Sequence, residues 1–300
     1  MTFRISHRTT YTYEREVTQS YGLLYMIPRD FPGQACRSIT VVIDPVPDFY
    51  AEHEDFFGNR VIHFEILNSH RTLSVLSSSE VDVEGGGIVG PVGDVAWEAA
   101  RDQLRKRTAG GDVVDAATVD ARQYVLGSSL AFPFAELREY ALISFLPSRP
   151  VREALLDLAE RVHHDFRYEP GVTSVTTTAE EAFALRVGVC QDFAHVVIGC
   201  LRALGLAARY VSGYLETTPP PGAAKLRGAD ASHAWAALLV PGQGWLDVDP
   251  TNRQYTNDRY TTVAWGRDYG DVPPLKGVIF TEGATNDLEV VVDVARVDAG

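Results

Sequence analysis

The sequence predicts an α+β fold in which a β-rich N-terminal region precedes a helix packed on an antiparallel sheet. Residues 1 to about 84 alternate short β-forming runs with turn signals. Residues 188–204 carry apolar side chains at the i, i+3, i+4, i+7 and i+8 positions of one helix face. Residues 233–249 contain two strands separated by a Pro-Gly-Gln-Gly turn, which indicates a β-hairpin. We therefore expect a small β-sandwich domain over 1–85, a mostly helical connecting region over 86–150 and the main α+β domain over 151–300.

The elements of the N-terminal and connecting regions are predicted from residue type and from the glycine-rich and capping residues between them. Runs rich in valine, isoleucine, threonine and tyrosine predict strands over 9–13, 38–43, 61–67 and 73–83. A glycine-rich break follows at 85–93, after which Asp94 is expected to cap a helix that continues to about residue 106. A second short helix is expected over 117–126. Nothing in the first 85 residues predicts a catalytic or ligand-binding site.

The second half begins with an amphipathic helix from Val151 to about Val162. Thr178 and Glu181 match a capping box at the start of a short helix, and Gly205 is expected to end the helix over 190–204. A strand follows over 207–215. The proline-rich residues 217–230 predict a long loop that could gate a site. Residues 260–277 are expected to be largely loop, and the valines of 288–297 predict a last strand.

Composition excludes several classes of function. The chain has 27 basic and 40 acidic residues and a net charge of −13, which argues against a nucleic-acid partner. We expect no membrane span, no secretory signal and a reducing, cytoplasmic location. Cys190 and Cys200 lie about 15 Å apart on one helix and cannot form a disulfide. We also expect no cofactor and no metal site, because Cys190, His195 and Cys200 do not share one helix face.

Cys190 is the candidate nucleophile. It falls in the first turn of its helix, where unpaired N–H groups and the positive end of the helix dipole favour a thiolate. Taken alone, the helix favours a small buried apolar residue, which is what most cysteines on an apolar helix face are. Nucleophilic catalysis also needs a base and a group that orients the base. His233 at the start of one strand, with Asp247 and Asp249 on the next, could supply them.

The hairpin register tests this grouping. Side chains alternate along a strand, so His233 and Asp249 share a face only when paired residue numbers sum to an even value. A four-residue loop that pairs Val240 with Trp245 would separate them. A sum of 484 would make them diagonal neighbours, which side chains can bridge. Asp247 would lie on the same face, so the pattern alone leaves both carboxylates open.

Three segments resemble the transglutaminase-like branch of the papain-like thiol enzymes. They are Gly188–Ala194, His233–Trp235 and Gly244–Asn252. The resemblance covers roughly 150 to 275 and implies a triad of Cys190, His233 and Asp249. The first 85 residues are similar to the β-rich region that precedes this core in bacterial members.

The resemblance implies acyl transfer through a thioester on Cys190, with a peptide or protein as substrate. We expect hydrolysis of a peptide or isopeptide amide, as in a cysteine protease or amidase. The alternatives are protein-glutamine cross-linking and a non-catalytic peptide-binding scaffold. Tyr168, Gln191 and Trp235 are candidate substrate contacts, although Trp235 could also be a core aromatic. The oligomeric state stays open.

Overall fold

The computed structural model describes residues 1–84, 94–106, 115–217, 230–283 and 285–297. The predicted glycine-rich break at 85–93 and most of the predicted gating loop, 218–229, lie outside these residues. In the described parts, no helix is both long and apolar enough to cross a membrane.

The larger sheet has seven antiparallel strands. They are β1 (Thr2–Leu24), β2 (Gln34–Asp44), β3 (Phe49–Glu54), β4 (Arg60–Ile66), β5 (His70–Val83), β13 (Leu275–Thr281) and β14 (Asn286–Arg296). The first half of β1 pairs with β5 and β14, and its second half pairs with β4 and β13. The sheet therefore curls around β1. The prediction of a β-rich N-terminal region is confirmed.

The chain's C-terminal end completes this N-terminal sheet. β13 and β14 lie within the predicted domain 151–300, yet both pair with β1. Sheet pairing thus joins strands that are far apart in the chain, and the last two strands of residues 151–300 belong to the N-terminal sheet. The domain boundaries near 85 and 150 stay a prediction.

Six α-helices lie between residues 97 and 203 in the described parts of the chain. They are α1 (Trp97–Arg105), α2 (Ala116–Ala121), α3 (Ala135–Ser144), α4 (Val151–Asp165), α5 (Ala179–Leu185) and α6 (Cys190–Ala203). The capping box at α5 is confirmed, since Thr178 and Glu181 each accept a hydrogen bond from the other's backbone N–H. Gly205 follows α6 with a φ of +81°, as expected for a helix terminator. Asp94 does not cap α1, which begins after Ala96.

The second sheet has five antiparallel strands in the order β11-β10-β9-β8-β12. Their bounds are β8 (Ala208–Leu215), β9 (Ser232–Val240), β10 (Gly244–Asp249), β11 (Gln254–Tyr255) and β12 (Tyr260–Gly266). Two short strands, β6 (Arg167–Tyr168) and β7 (Val187–Gly188), pair in parallel just before α6. β12 lies within the stretch 260–277 and β13 begins at its end, so the prediction that this stretch is largely loop is wrong.

The hairpin of β9 and β10 has the register that the site requires. Val240 pairs with Gly244 and Leu239 pairs with Trp245, so paired numbers sum to 484. The connecting loop has three residues, and Gly242 within it and Gly244 after it have positive φ values of +77° and +108°. The even-sum register is confirmed, and it puts His233, Trp235, Asp247 and Asp249 on one face.

The two faces of the five-stranded sheet pack against different parts of the chain. On one face, Tyr210 of β8 lies with its ring 5.1 Å from the ring of His195 of α6. On the opposite face, Arg29 of the N-terminal region stacks 3.6 Å above the ring of Trp265 in β12. The sheet is thus enclosed by α6 on one side and the N-terminal region on the other.

Candidate active site

Cys190 is the first residue of α6, directly after the short strand β7. Asp192 closes this turn, because its Oδ2 accepts hydrogen bonds from the Val189 backbone N–H at 2.8 Å and from Thr173 Oγ1 at 2.7 Å. The side chain of Asp192 is buried, and burial raises its pKa while these two hydrogen bonds oppose that shift. Asp192 therefore fixes the backbone that presents the thiol.

Gly188 permits this arrangement because it has no side chain. A Cβ at residue 188 would lie 2.5 Å from Asp192 Oδ2 and 2.7 Å from Asp192 Cβ.

We expect Gly188→Ala to displace Asp192 and to lower the free energy of unfolding by about 1–3 kcal/mol, with slower alkylation of Cys190. Urea unfolding and iodoacetamide labelling measure both. Thr173→Val removes one hydrogen bond without a clash and should cost less. Unchanged stability and labelling in Gly188→Ala would contradict this account.

His233 and Asp249 meet across the hairpin. Nε2 of His233 donates to Asp249 Oδ2 at 2.7 Å, and Asp249 is completely buried. This contact leaves Nδ1 as the ring nitrogen available to Cys190. Burial alone would lower the pKa of His233, but the hydrogen bond to Asp249 and the proximity of Cys190 raise it from 6.5 to about 10. The imidazole is therefore protonated at neutral pH.

Asp249 accepts hydrogen bonds at both oxygens. Besides His233, Oδ2 accepts from Asn252 Nδ2 at 2.7 Å and from the Tyr260 hydroxyl at 2.7 Å. Oδ1 accepts from the backbone N–H groups of Thr251 at 2.8 Å and Asn252 at 3.2 Å. Burial opposes ionisation of this carboxyl, yet the hydrogen bonds hold the pKa of Asp249 below its usual value. Asp249 is thus an ionised partner for the imidazolium.

Asp247, the second candidate carboxylate, does not contact His233. Its Oδ2 accepts from Trp235 Nε1 at 2.9 Å, deep in the sheet face that the N-terminal region covers. Burial raises the pKa of Asp247, and the nearby Arg209 opposes the shift. Arg209 itself is stacked between Trp245 and Trp265, at 4.0 and 3.8 Å. The geometry therefore separates the two carboxylates that the sequence left open.

The three predicted substrate contacts differ in exposure. Tyr168 is 52% exposed, and burial of the rest of its ring together with nearby Cys190 and Asp249 raises its pKa, so its hydroxyl stays protonated beside the site. Trp235 is only 1% exposed and its indole N–H is bound to Asp247, so its assignment as a substrate contact is corrected to a core residue. Gln191 is 8% exposed and donates to the Val175 carbonyl at 3.1 Å, which favours a structural role.

The structure adds two side chains that sequence reasoning missed. Tyr260 contacts Asp249 directly, and Gln254 Nε2 donates to the Tyr260 hydroxyl at 2.8 Å. Tyr260 gives no signal because the sequence predicts loop over 260–277, and Gln254 lies just beyond the segment Gly244–Asn252 that carries the resemblance. Asn252 ends that segment, but the sequence assigns it no role. Within the described residues, no group of three or more histidine, cysteine, aspartate or glutamate side chains is arranged to hold a metal ion.

A cysteine in the first turn of a helix, packed on an antiparallel sheet that carries a histidine and an aspartate, defines a papain-like α+β fold. The family model described as the transglutaminase-like superfamily matches residues 145–250. The model described as the bacterial transglutaminase-like N-terminal region matches residues 3–82. The chain therefore belongs to the transglutaminase-like superfamily.

The chain is also similar to two proteins over nearly its whole length and to a third over part of it. An uncharacterized protein of Mycobacterium tuberculosis strain H37Rv is 43% identical over 302 residues, covering 97% of this chain and 92% of that protein. The crystal structure of a "Putative Cysteine Protease" from Cytophaga hutchinsonii superposes with a TM-score of 0.75 at 20% identity, covering 100% of this chain and 92% of that chain. A protein-glutamine gamma-glutamyltransferase of Pseudomonas aeruginosa is 37% identical over 99 residues, 31% of this chain and 15% of that protein.

Proposed function

We propose that the protein catalyses thiol-dependent acyl transfer on amide bonds, with Cys190 as nucleophile, His233 as acid and base and Asp249 as the group that orients His233. The observation that carries the proposal is the 2.7 Å contact between His233 Nε2 and Asp249 Oδ2, next to a thiol in the first turn of α6. An imidazolium beside a thiol favours the thiolate, which is the attacking species.

The proposed reaction has two steps. The Cys190 thiolate attacks the amide carbonyl carbon, a carbon–sulfur bond forms, and the carbon–nitrogen bond breaks as His233 gives its proton to the leaving amine. Water then attacks the thioester, His233 takes a proton from that water, and the acid is released with the thiolate restored. The backbone N–H of Cys190, at the helix start, is one donor to the developing oxyanion.

We favour water as the acyl acceptor, and hence hydrolysis of a peptide or isopeptide amide. Tyr168 beside the site is half exposed, so solvent reaches the rim of the cleft. Transfer to an amine is the second candidate, because the similar segment of the Pseudomonas protein belongs to a named gamma-glutamyltransferase. Both reactions share the thioester and differ only in which acceptor the cleft admits.

The first experiment measures thiol reactivity. We expect iodoacetamide at pH 6 to label Cys190 rapidly, with the labelled site identified by mass spectrometry. The other two cysteines are controls in the same chain, because burial raises the pKa of both Cys36 and Cys200. Equal or slower labelling of Cys190 would contradict the proposed thiolate and favour the scaffold alternative.

The second experiment identifies the acceptor. Glutamine-containing peptides are incubated with and without a primary amine, and peptide cleavage, ammonia release and amine incorporation are all measured. Hydrolysis without the added amine predicts cleaved peptide where a peptide bond is the substrate and ammonia where the glutamine side-chain amide is, and Cys190→Ser should abolish both. Incorporation that exceeds hydrolysis would overturn our choice of water. Turnover that persists in Cys190→Ser would overturn the mechanism.

A further inference from the structure

Tyr260 lies on the edge strand β12, and its side chain reaches the candidate triad. It is the buried first residue of β12, and its hydroxyl donates to Asp249 Oδ2 at 2.7 Å. Gln254 Nε2 donates to the same hydroxyl at 2.8 Å. Because Gln254 occupies the acceptor side of the oxygen, the phenol hydrogen is directed to Asp249. Burial and the adjacent Asp249 raise the pKa of Tyr260 above its usual value, so the hydroxyl remains a donor at all working pH values.

The ring of Tyr260 also packs on the aromatic groups of β9. It meets Trp235 edge-on at 5.4 Å and lies tilted against the His233 ring at 6.2 Å. These contacts limit the rotation of all three rings. The position of the hydroxyl is therefore set by packing as well as by its two hydrogen bonds.

The N-terminal region binds β12 at Thr262, two residues after Tyr260. The buried amide of Gln34 accepts from the Thr262 backbone N–H and donates to the Thr262 carbonyl, both at 2.7 Å. This pair of bonds lies beside an irregularity of the edge strand, since Thr262 pairs with Gly213 of β8 and the register then shifts between Thr262 and Ala264. A narrow cavity behind the site is lined by residues of both regions, including Gln34 and Tyr260.

We propose that Tyr260 is a positioning residue that holds Asp249, and through it His233, and that the N-terminal region keeps Tyr260 in place through Gln34. This inference rests on the proposed function. It assigns the β-rich N-terminal region a direct part in the site, because Gln34 is 228 residues from Thr262 in the chain.

The groups that face Asp249 determine the expected pH dependence. They are His233 on β9, Tyr260 on β12 and Tyr168 on β6, while Cys190 at the start of α6 interacts with His233. Loss of one hydrogen bond to a carboxylate raises its pKa. Asp249 would then take up a proton at higher pH, and His233 would lose its charged partner. The rate of Cys190 alkylation falls as the pH decreases, and this part of its pH profile is the acid limb. The acid limb should therefore move to higher pH.

The primary test is Tyr260→Phe, which removes the hydroxyl and keeps the ring. We expect kcat to fall about tenfold with KM unchanged, in line with the loss of other outer hydrogen-bonding partners, and the acid limb of Cys190 alkylation to move upward. Gln254→Glu is a matched variant of equal size. Its introduced carboxylate accepts the phenol hydrogen instead of donating to the oxygen, so it should reproduce both effects. Wild-type kcat and an unshifted acid limb in folded Tyr260→Phe would overturn the proposal.

The N-terminal part of the proposal is tested with two matched amides. Asn59 is also buried and pairs with the Trp265 backbone in both directions at 2.9 Å, but it lies further along β12 from Tyr260. We expect Gln34→Ala to shift the acid limb as Tyr260→Phe does, and Asn59→Ala to lower stability without that shift. Equal shifts, or none, in the two variants would overturn the role of Gln34. Absence of Cys190 reactivity in the wild-type protein would instead overturn the proposed function.

Discussion

Asp249→Asn is expected to lower kcat by about 10⁴-fold, the loss seen when the orienting aspartate of such a triad is removed. The reason is electrostatic. Burial is the largest single influence on the pKa of His233 and lowers it, so the imidazolium depends on its contact with the carboxylate. Without that charge the buried imidazole is neutral, and iodoacetamide labelling of Cys190 at pH 6 should slow by about 100-fold.

The same variant makes a prediction about stability. In the wild-type protein the pKa of His233 is raised from 6.5 to about 10, so the imidazolium stabilises the fold fully below pH 6.5 and this contribution is lost as the pH rises through 10. The difference in free energy of unfolding between wild-type and Asp249→Asn should therefore be larger at pH 6 than at pH 10, as measured by urea unfolding. A difference that grows with pH would contradict this linkage.

Asp247→Asn is the matched control. Asp247 lies on the same strand and sheet face, but its carboxylate contacts Trp235 and not His233. We expect this variant to lose stability, because Arg209 is buried beside it, while labelling of Cys190 at pH 6 is retained. If Asp247→Asn removed the reactivity and Asp249→Asn did not, the roles of the two carboxylates would have to be exchanged.

The parts of the site that the sequence predicts are those set by local pattern. The apolar spacing of residues 190–204 places Cys190 at a helix start, and α6 begins at that residue. Side chains alternate along β9 and β10, so His233 and Asp249 lie on one face when paired residue numbers sum to an even value. The hairpin has such a register. Periodicity and turn length are properties of neighbouring residues, so they can be interpreted without knowing the rest of the fold.

The parts that the sequence did not predict depend on contacts between distant residues. The sequence predicts loop where β12 lies, because β12 pairs with β8, from which β9, β10 and β11 separate it in the chain, and bonds to the side chains of Gln34 and Asn59, which lie more than 200 residues earlier. Tyr260 therefore gave no signal as a neighbour of Asp249. β13 and β14 return to the N-terminal sheet for the same kind of reason, since their partner β1 is at the other end of the chain. No local pattern specifies such pairings.

Arg202→Met is expected to give the largest loss of stability. Arg202 is buried in the last turn of α6, and burial lowers the pKa of its guanidinium to about 10, so it is charged at neutral pH. Its nitrogens donate to the Ser128 hydroxyl and to four backbone carbonyls, those of Tyr124, Ala131, Ala208 and Arg267. One side chain thus joins α6 to the connecting region, to β8 and to the segment that follows β12.

Methionine would fill much of the volume and leave those carbonyls without donors. Each orphaned buried polar group costs roughly 1–3 kcal/mol, so we expect the free energy of unfolding to fall by about 4 kcal/mol or more, as measured by urea unfolding. Arg138→Met, on the exposed side of α3, is the control and should stay within about 0.5 kcal/mol of wild type. If Arg202→Met does not fold, Arg202→Lys keeps the charge with fewer donors and should show an intermediate loss. Equal stability of the residue 202 and residue 138 variants would mean that the hydrogen bonds of Arg202 do not hold these elements together.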